Sequence, residues 1–264
     1  MGRIEATFDA LGRAGRKALM PYLTVGYPER RSALDLVPAL VEGGADLIEL
    51  GVPFSDPLAD GATIQAASQQ ALANGMTLRE CLEQAAELRA SGIEVPLVLM
   101  GYWNPVLQMG VEEFATRATA AGVDGVILPD LPPEEAEVPR NVLGTEGIDL
   151  VFLLAPTSGE ERARLVAERT SGFLYLVSLT GVTGERDELP PGLASFVERV
   201  RPLTRLPLAV GFGISKPAQA AAVARLADGV IVGSALIRAI GESKKPAQAA
   251  RQFVRSLRQG IDNA

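Results

Sequence analysis

The sequence predicts an α/β fold, one (β/α)8 TIM barrel that spans residues 1–264, and three observations support this prediction. Eight short runs rich in Val, Ile and Leu alternate with alanine-rich amphipathic stretches, which is typical of strand–helix units around a parallel sheet. A chain of 264 residues that is 47% apolar can bury the core of one such domain. Three of the runs begin alike, with Asp46, Asp124 and Asp228, as repeated structural units would.

The predicted elements begin with a helix that precedes the first strand. Ile4, Phe8 and Leu11 recur at helical spacing, so this extra helix has an apolar face that could close the bottom of the barrel. The eight predicted strands are, in order, ALMPYLTVG, ADLIELGVP, VPLVLMGY, DGVILPD, DLVFLLAPT, GFLYLVSLTG, PLAVGFG and DGVIVGS.

Long insertions rich in Gly, Pro and Asp follow strand 2 (VPFSDPLADGATIQ) and strand 6 (SLTGVTGERDELPPG). Both lie at the C-terminal ends of strands, where barrel active sites are built. We therefore expect the chemistry of the protein at this rim.

Composition narrows the possible functions. The net charge is −7 and there is no run of Lys and Arg that could hold a nucleic-acid backbone, so nucleic acid is not expected as a partner. The sequence shows no signal peptide and no apolar run of membrane-spanning length, which predicts a cytoplasmic protein without membrane contact. There is no histidine, so we expect no metal site, and acid–base chemistry must fall to carboxylates, lysine or tyrosine.

Glu49 is the first candidate catalytic residue, because it interrupts the apolar run of a strand that should be buried. Strand alternation places Leu47, Glu49 and Gly51 on one face and Ile48 and Leu50 on the other. The bulky aliphatic pair suits the helix layer, so Glu49 should point into the barrel, where loss of solvation raises the pKa of a carboxyl group. A structural carboxylate bonded to backbone amides or to a buried arginine is the alternative.

Asp60 is the second candidate, eleven residues further on and at the same rim. Two carboxylates in different environments can divide into an acid and a base. A turn or a helix cap is the alternative for Asp60. Two glycine-containing turns, VGFGIS (210–215) after strand 7 and VGSA (232–235) after strand 8, precede predicted helices and could bring backbone N–H groups to a phosphate, although each could also be a simple turn.

Several segments together resemble a known family, the tryptophan synthase alpha subunits. The longest is ELGVPFSDPLADG (residues 49–61), and others are MGYWNP (100–105), LPDLPPEE (128–135), GVTG (181–184) and VGFGIS (210–215). The resemblance covers nearly the whole chain. It departs from the commonest family pattern at Ala62, where proline is frequent, and at Trp103, where tyrosine is more usual.

The resemblance implies a lyase of tryptophan biosynthesis that splits indole-3-glycerol phosphate into indole and glyceraldehyde 3-phosphate by a retro-aldol reaction. In that family the residue matching Glu49 moves the protons, the one matching Asp60 holds the indole N–H, and Tyr175 matches a supporting tyrosine. The remaining implied substrate contacts are Tyr22 and Phe212 as walls of the indole pocket, and Gly184, Gly213, Gly233 and Ser234 as phosphate ligands.

The resemblance also implies a partner, a beta subunit that contains pyridoxal phosphate, receives the indole and assembles with this chain as an alpha2beta2 heterotetramer. No cofactor is expected in this chain. Residues 53–60, 104–105 and 130–133 are the expected contact surface, and their position on the catalytic rim makes allosteric coupling between the subunits physically reasonable.

Two other functions compete with this interpretation. One is another phosphate-binding barrel enzyme, such as the synthase that makes indole-3-glycerol phosphate, which would be expected to carry a catalytic lysine on a barrel strand. The other is a non-catalytic regulatory barrel subunit. Such a subunit would not need a carboxylate inside an apolar strand, because burying one is costly.

Overall fold

A closed sheet of parallel strands forms the wall of the molecule. The computed structural model describes residues 2–177, 192–211 and 213–264. The strand segments within them are Ala18–Thr24 (β1), Ile48–Gly51 (β2), Leu97–Met100 (β3), Gly125–Ile127 (β4), Asp149–Val151 (β5), Leu153–Leu154 (β6), Leu174–Val177 (β7), Leu208–Gly211 (β8) and Gly229–Val232 (β9). Their order is β5-β4-β3-β2-β1-β9-β8-β7-β6, and all neighbouring strands in this order are parallel.

The two ends of this order belong to one strand of the barrel. β5 and β6 are separated only by Phe152, whose carbonyl oxygen accepts the Tyr175 N–H at 3.2 Å. β5 pairs with β4, whereas β6 pairs with β7, so the strand passes from one neighbour to the other and the sheet closes. The described segments thus form the eight strands that the sequence predicts.

Helices surround the sheet. Those in the described residues are Arg3–Arg13 (α1), Ala33–Glu42 (α2), Ala62–Ala73 (α3), Leu78–Ala90 (α4), Trp103–Met109 (α5), Val111–Ala120 (α6), Glu137–Thr145 (α7), Glu160–Arg169 (α8), Leu193–Val200 (α9), Pro217–Ala224 (α10), Ser234–Gly241 (α11) and Pro246–Asp262 (α12). Across the described residues no helix combines the length and the apolar character needed to cross a membrane. The loop after β2 is shorter than predicted, because α3 already begins at Ala62.

Strand alternation divides the apolar side chains into two layers. Ile48 and Leu50 belong to the layer between sheet and helices, while Leu47 belongs to the barrel interior, as the sequence predicts. The predicted helix α1 closes the interior from below, since its buried side chains Ile4, Phe8 and Leu11 pack with the interior residues Ala18, Met20, Leu47, Val98, Ile127, Val151, Phe173, Tyr175, Ala209 and Ile231. Apolar side chains therefore fill this end of the barrel interior.

The repeated aspartates join neighbouring strands at the closed end of the barrel. Each carboxylate accepts a backbone N–H near the start of the preceding strand, at 2.8 or 2.9 Å: Asp46 from Leu19, Asp124 from Leu97 and Asp228 from Leu208. The Ser171 hydroxyl accepts the Leu150 N–H in the same way at 2.9 Å. The weak internal repeat of the sequence thus corresponds to a recurring hydrogen bond between paired strands.

The most deeply buried of these aspartates depends on one arginine. Arg89 pairs with Asp124, and both side chains are largely buried, at 13% and 7% exposure. The same guanidinium donates to the carbonyl oxygens of Gly122, Ile93 and Val95 at 2.6 to 2.8 Å. One side chain therefore satisfies three partly buried loop carbonyls and a buried carboxylate.

We expect the substitution Arg89→Met to lower the free energy of unfolding by about 2 to 3 kcal/mol, because it leaves buried acceptors unpaired. Asp124 would keep the Leu97 N–H and Arg3, whose side chain is half exposed. The measurement is urea unfolding followed by the fluorescence of Trp103, the single tryptophan.

Arg117→Met is the matched control for this prediction. Arg117 forms an exposed ion pair with Glu113 on α6, and its loss should cost under about 0.5 kcal/mol. Equal effects of the two substitutions would show that the buried network adds nothing to stability.

Candidate active site

Glu49 lies on β2 and points into the open end of the barrel. Its register partner on β1 is Tyr22, and the side chain is fully buried. Neither carboxylate oxygen has a hydrogen-bond partner among the described residues, so the structural alternative, a carboxylate bonded to amides or arginine, is not what these residues form. Burial raises the pKa of Glu49 from 4.5 to about 8, so the group is mostly protonated near neutral pH.

Asp60 lies in the loop between β2 and α3 and is only partly buried. Burial raises the pKa of Asp60 from 3.8 to about 6, and a hydrogen bond from Tyr102 opposes the rise. The residue does not cap α3, because Gly61 occupies the N-cap position and no side chain caps the helix there. Its backbone N–H does close a turn with the Pro57 carbonyl at 3.1 Å, and this bond does not use the carboxylate.

Two tyrosines complete the interior wall around the carboxylates. Tyr22 on β1 and Tyr175 on β7 are both buried, and burial is the main cause that raises the pKa of each phenol. The charges of Glu49 and Asp60 act on both phenols in the same direction, which indicates that the four side chains face one space. Both phenols therefore keep their protons at neutral pH.

A glycine makes room for one of these rings. The side chain of Tyr175 passes over Gly211 on β8, where an added Cβ would come within 2.7 Å of the phenol oxygen. A larger residue at position 211 would therefore displace Tyr175.

The predicted phosphate ligands lie at the starts of helices near the same rim. Gly233 is the N-cap of α11 and Ser234 its first residue, and no side chain caps this helix. The first N–H groups of a helix have no partner within it and attract anions. A Cβ on Gly233 would lie 3.6 Å from Tyr22, so this helix start adjoins the interior wall.

The predicted phosphate-binding turn after β8 differs from the start of α11, because a side chain already caps the helix that follows it. Gly213 has a φ of +66°, a left-handed conformation that glycine adopts without strain. The N–H groups of Ser215 and Lys216, at the start of α10, already bond to the Gln219 side chain at 2.9 and 3.0 Å. Of the two helix starts, only that of α11 keeps its N–H groups clear of a side-chain cap.

Two predicted site residues, Phe212 and Gly184, lie outside the described residues. One side chain next to Asp60 was not predicted as part of the site. Tyr102 belongs to a segment that entered only through the family resemblance, yet its hydroxyl accepts the Ala59 N–H beside Asp60, and it follows β3, the neighbour of β2, after a single residue. Its position at the end of an adjacent strand was the signal that could have found it.

The fold and these side chains define the class of the protein, a parallel-barrel enzyme with two carboxyl groups of raised but different pKa on β2 and in the loop after it. A family model described as "Tryptophan synthase alpha chain" matches residues 8–264. The chain belongs to this family, the tryptophan synthase alpha chains.

Individual relatives agree with the family model. The alpha chain of Roseiflexus sp. (strain RS-1) is 56% identical over 260 residues, which cover 98% of this chain and 100% of that one. The alpha chain of Geobacter sulfurreducens is 49% identical over the full length of both chains. The crystal structure of tryptophan synthase subunit alpha from Legionella pneumophila superposes with a TM-score of 0.93 at 41% identity, covering all of both chains.

The family and the fold that the sequence predicts are thereby confirmed. The reaction of the family is the lyase cleavage of indole-3-glycerol phosphate in tryptophan biosynthesis, and neither alternative function finds support. The described barrel strands also carry no lysine, unlike the synthase considered as a rival. An alpha chain, as the name implies, is one of two kinds of subunit, the other being a beta chain.

Proposed function

We propose that Glu49 and Asp60 together carry out the retro-aldol cleavage of indole-3-glycerol phosphate in this chain. The observation that supports this most is the fully buried carboxyl group of Glu49, without a partner among the described residues and at the open end of the barrel. A protein retains such a costly group when its proton is used.

The different pKa values of the two carboxyl groups match the two roles. At neutral pH Glu49, with a pKa of about 8, can donate its proton to indole C3, while Asp60, with a pKa of about 6, is mostly ionised. Protonation at C3 places positive charge on the ring nitrogen, which the Asp60 carboxylate stabilises through the indole N–H.

The second half of the reaction restores the enzyme. The ionised Glu49 takes the proton of the substrate hydroxyl on the carbon attached to C3. The electrons of that O–H bond form the aldehyde carbonyl, and the C–C bond breaks to release indole. One proton leaves Glu49 and one returns, so the products are indole and glyceraldehyde 3-phosphate with no net proton change.

The other predicted residues bind the substrate. Tyr175 supports the carboxylate pair, and Tyr22 and Phe212 enclose the indole. The phosphate binds to backbone N–H groups, and the uncapped start of α11 at Gly233 and Ser234 supports this assignment. Gly213 and Gly184 complete the predicted phosphate site.

The proposed partner is a beta chain with pyridoxal phosphate, in an alpha2beta2 assembly in the cytoplasm; no cofactor takes part in the reaction of this chain. The exposed large apolar side chains of the described residues are Leu58, Leu107 and Val138, at 94%, 50% and 62% exposure. They follow β2, β3 and β4, so they lie toward one sector of the catalytic rim, close to the contact segments predicted from the sequence.

The test is release of indole from indole-3-glycerol phosphate by the purified chain, with and without a beta chain. We expect turnover that the partner stimulates. The dephosphorylated substrate should react with a KM raised about 100-fold or more, because the charged phosphate contacts are lost. No indole from either preparation would refute the proposal, and equal KM values for the two substrates would refute the phosphate site.

A further inference from the structure

Tyr102 contacts both ends of the loop that carries Asp60. Its ring stacks on Phe54 near the start of the loop, with centroids 5.0 Å apart and planes inclined by 25°. Its hydroxyl accepts the Ala59 N–H at 3.0 Å and lies beside the Asp60 carboxylate, near the end of the loop. Because an oxygen lone pair accepts from the backbone, the phenol O–H is left to donate toward the neighbouring Asp60 carboxylate.

Elements outside the loop hold this phenol in place. Tyr102 is the N-cap of α5, follows β3 after a single residue, and is almost completely buried. The next N–H, that of Trp103, donates to both oxygens of Asp130 at 2.9 and 3.1 Å. The Tyr102 side chain thus connects the loop to β3 and α5.

We propose that Tyr102 is a positioning residue for the cleavage reaction, which aims the Asp60 carboxylate at the indole N–H. This inference rests on the proposed function, since it assigns Tyr102 a task only if Asp60 acts in catalysis. The stacked ring orders the loop, and the hydroxyl orients the acid. Removing the oxygen alone should therefore impair the reaction while the loop stays packed.

The groups that surround Asp60 give this proposal a specific pH signature. Among the described residues, the titratable groups that face it are Tyr22, Tyr102 and Tyr175, with Asp130 acting on Tyr102 from the far side. The three phenols have raised pKa values, so none of them ionises near neutral pH. Because the hydrogen bond lowers the pKa of Asp60, loss of the hydroxyl should move the acidic limb of activity to higher pH.

The experiment compares wild type, Tyr102→Phe, Asp60→Asn and the double variant in a pH series of indole release. For Tyr102→Phe we expect kcat/KM at pH 7 to fall about tenfold, as for a lost hydrogen bond to a charged group. The acidic limb should lie at higher pH than in wild type. In the Asp60→Asn background the second substitution should have no further effect, because the tyrosine acts through the carboxylate.

Tyr27→Phe is the matched control. This tyrosine is not one of the proposed site residues, and its hydroxyl lies beside Gly241 at the end of α11, so its variant should behave as wild type. For Tyr102→Phe, unchanged fluorescence of Trp103, the next residue in the chain, verifies that the variant is folded.

The inference is overturned by a loss of activity that is equal at every pH, or by an effect of the same size with and without the Asp60 carboxylate. Full activity of Asp60→Asn would have a different meaning. It would remove the proposed catalytic role of Asp60 itself, and the task of Tyr102 with it.

Discussion

Glu49→Gln should lower kcat for indole-3-glycerol phosphate cleavage by about 1,000-fold or more, within the range expected when the group that transfers protons is lost. Glutamine keeps the size and shape of the side chain but can neither give a proton to C3 nor accept one from the hydroxyl. KM should change little, because the phosphate and indole contacts belong to other residues. The measurement is indole release at saturating substrate, with and without a beta chain.

Glu42→Gln is the control for this substitution. Glu42 is an exposed glutamate at the end of α2, paired with Arg251, and its replacement should leave kcat unchanged. Stimulation by the beta chain should persist for the residual activity of Glu49→Gln if that variant still assembles. A kcat within threefold of wild type would show that the proton comes from another group, and the mechanism proposed here would fail.

The expected loss is large because a single group performs both proton transfers. Asp60 cannot replace Glu49, since its pKa of about 6 leaves it mostly ionised at neutral pH and its contact with Tyr102 directs it to another task. Their different surroundings thus give two chemically similar carboxyl groups different pKa values. Glu49 is buried in the barrel without a partner, and Asp60 lies in a loop with one donor.

Much of the fold could be predicted from the sequence because it depends on local periodicity. The alternation around Glu49 correctly assigned Leu47 to the interior and Ile48 to the helix side, and the spacing of α1 predicted the closed bottom. Glu49 itself was recognisable because a charged residue breaks an apolar strand. That signal depends on one short stretch of chain and requires no tertiary information.

Contacts between distant segments were not predictable in this way. Ala59 and Tyr102 are 43 positions apart, and nothing in either segment specifies that one bonds to the other. The two glycine turns look equivalent in sequence, yet the Gln219 side chain occupies the start of α10 while Gly233 leaves α11 uncapped. The three repeated aspartates were visible, but their hydrogen bonds to neighbouring strands required the register of the sheet.

The catalytic carboxyl group should also cost the protein stability, and this cost should depend on pH. The pKa of Glu49 rises from 4.5 to about 8 on folding, so the folded protein holds the proton more tightly than the unfolded chain does. Below about pH 4.5 both states carry the proton. Between about 4.5 and 8 only the unfolded chain releases it, so the free energy of unfolding falls, and above about 8 the loss is complete.

Glu49→Gln removes this dependence on pH. The free energy of unfolding of the variant, relative to that of wild type, should therefore rise by about 3 to 5 kcal/mol between pH 4.5 and pH 9. The change of the difference with pH is the informative quantity, because the buried amide has a constant cost of its own while all other titrating groups are common to both proteins. Urea unfolding followed by Trp103 fluorescence measures it. A difference that stays constant across this range would mean that Glu49 titrates normally in the fold, and the residue could not then hold the proton that cleavage requires. Loss of activity together with a gain in stability at alkaline pH would instead show that the barrel bears the energetic cost of a buried acid because its chemistry depends on it.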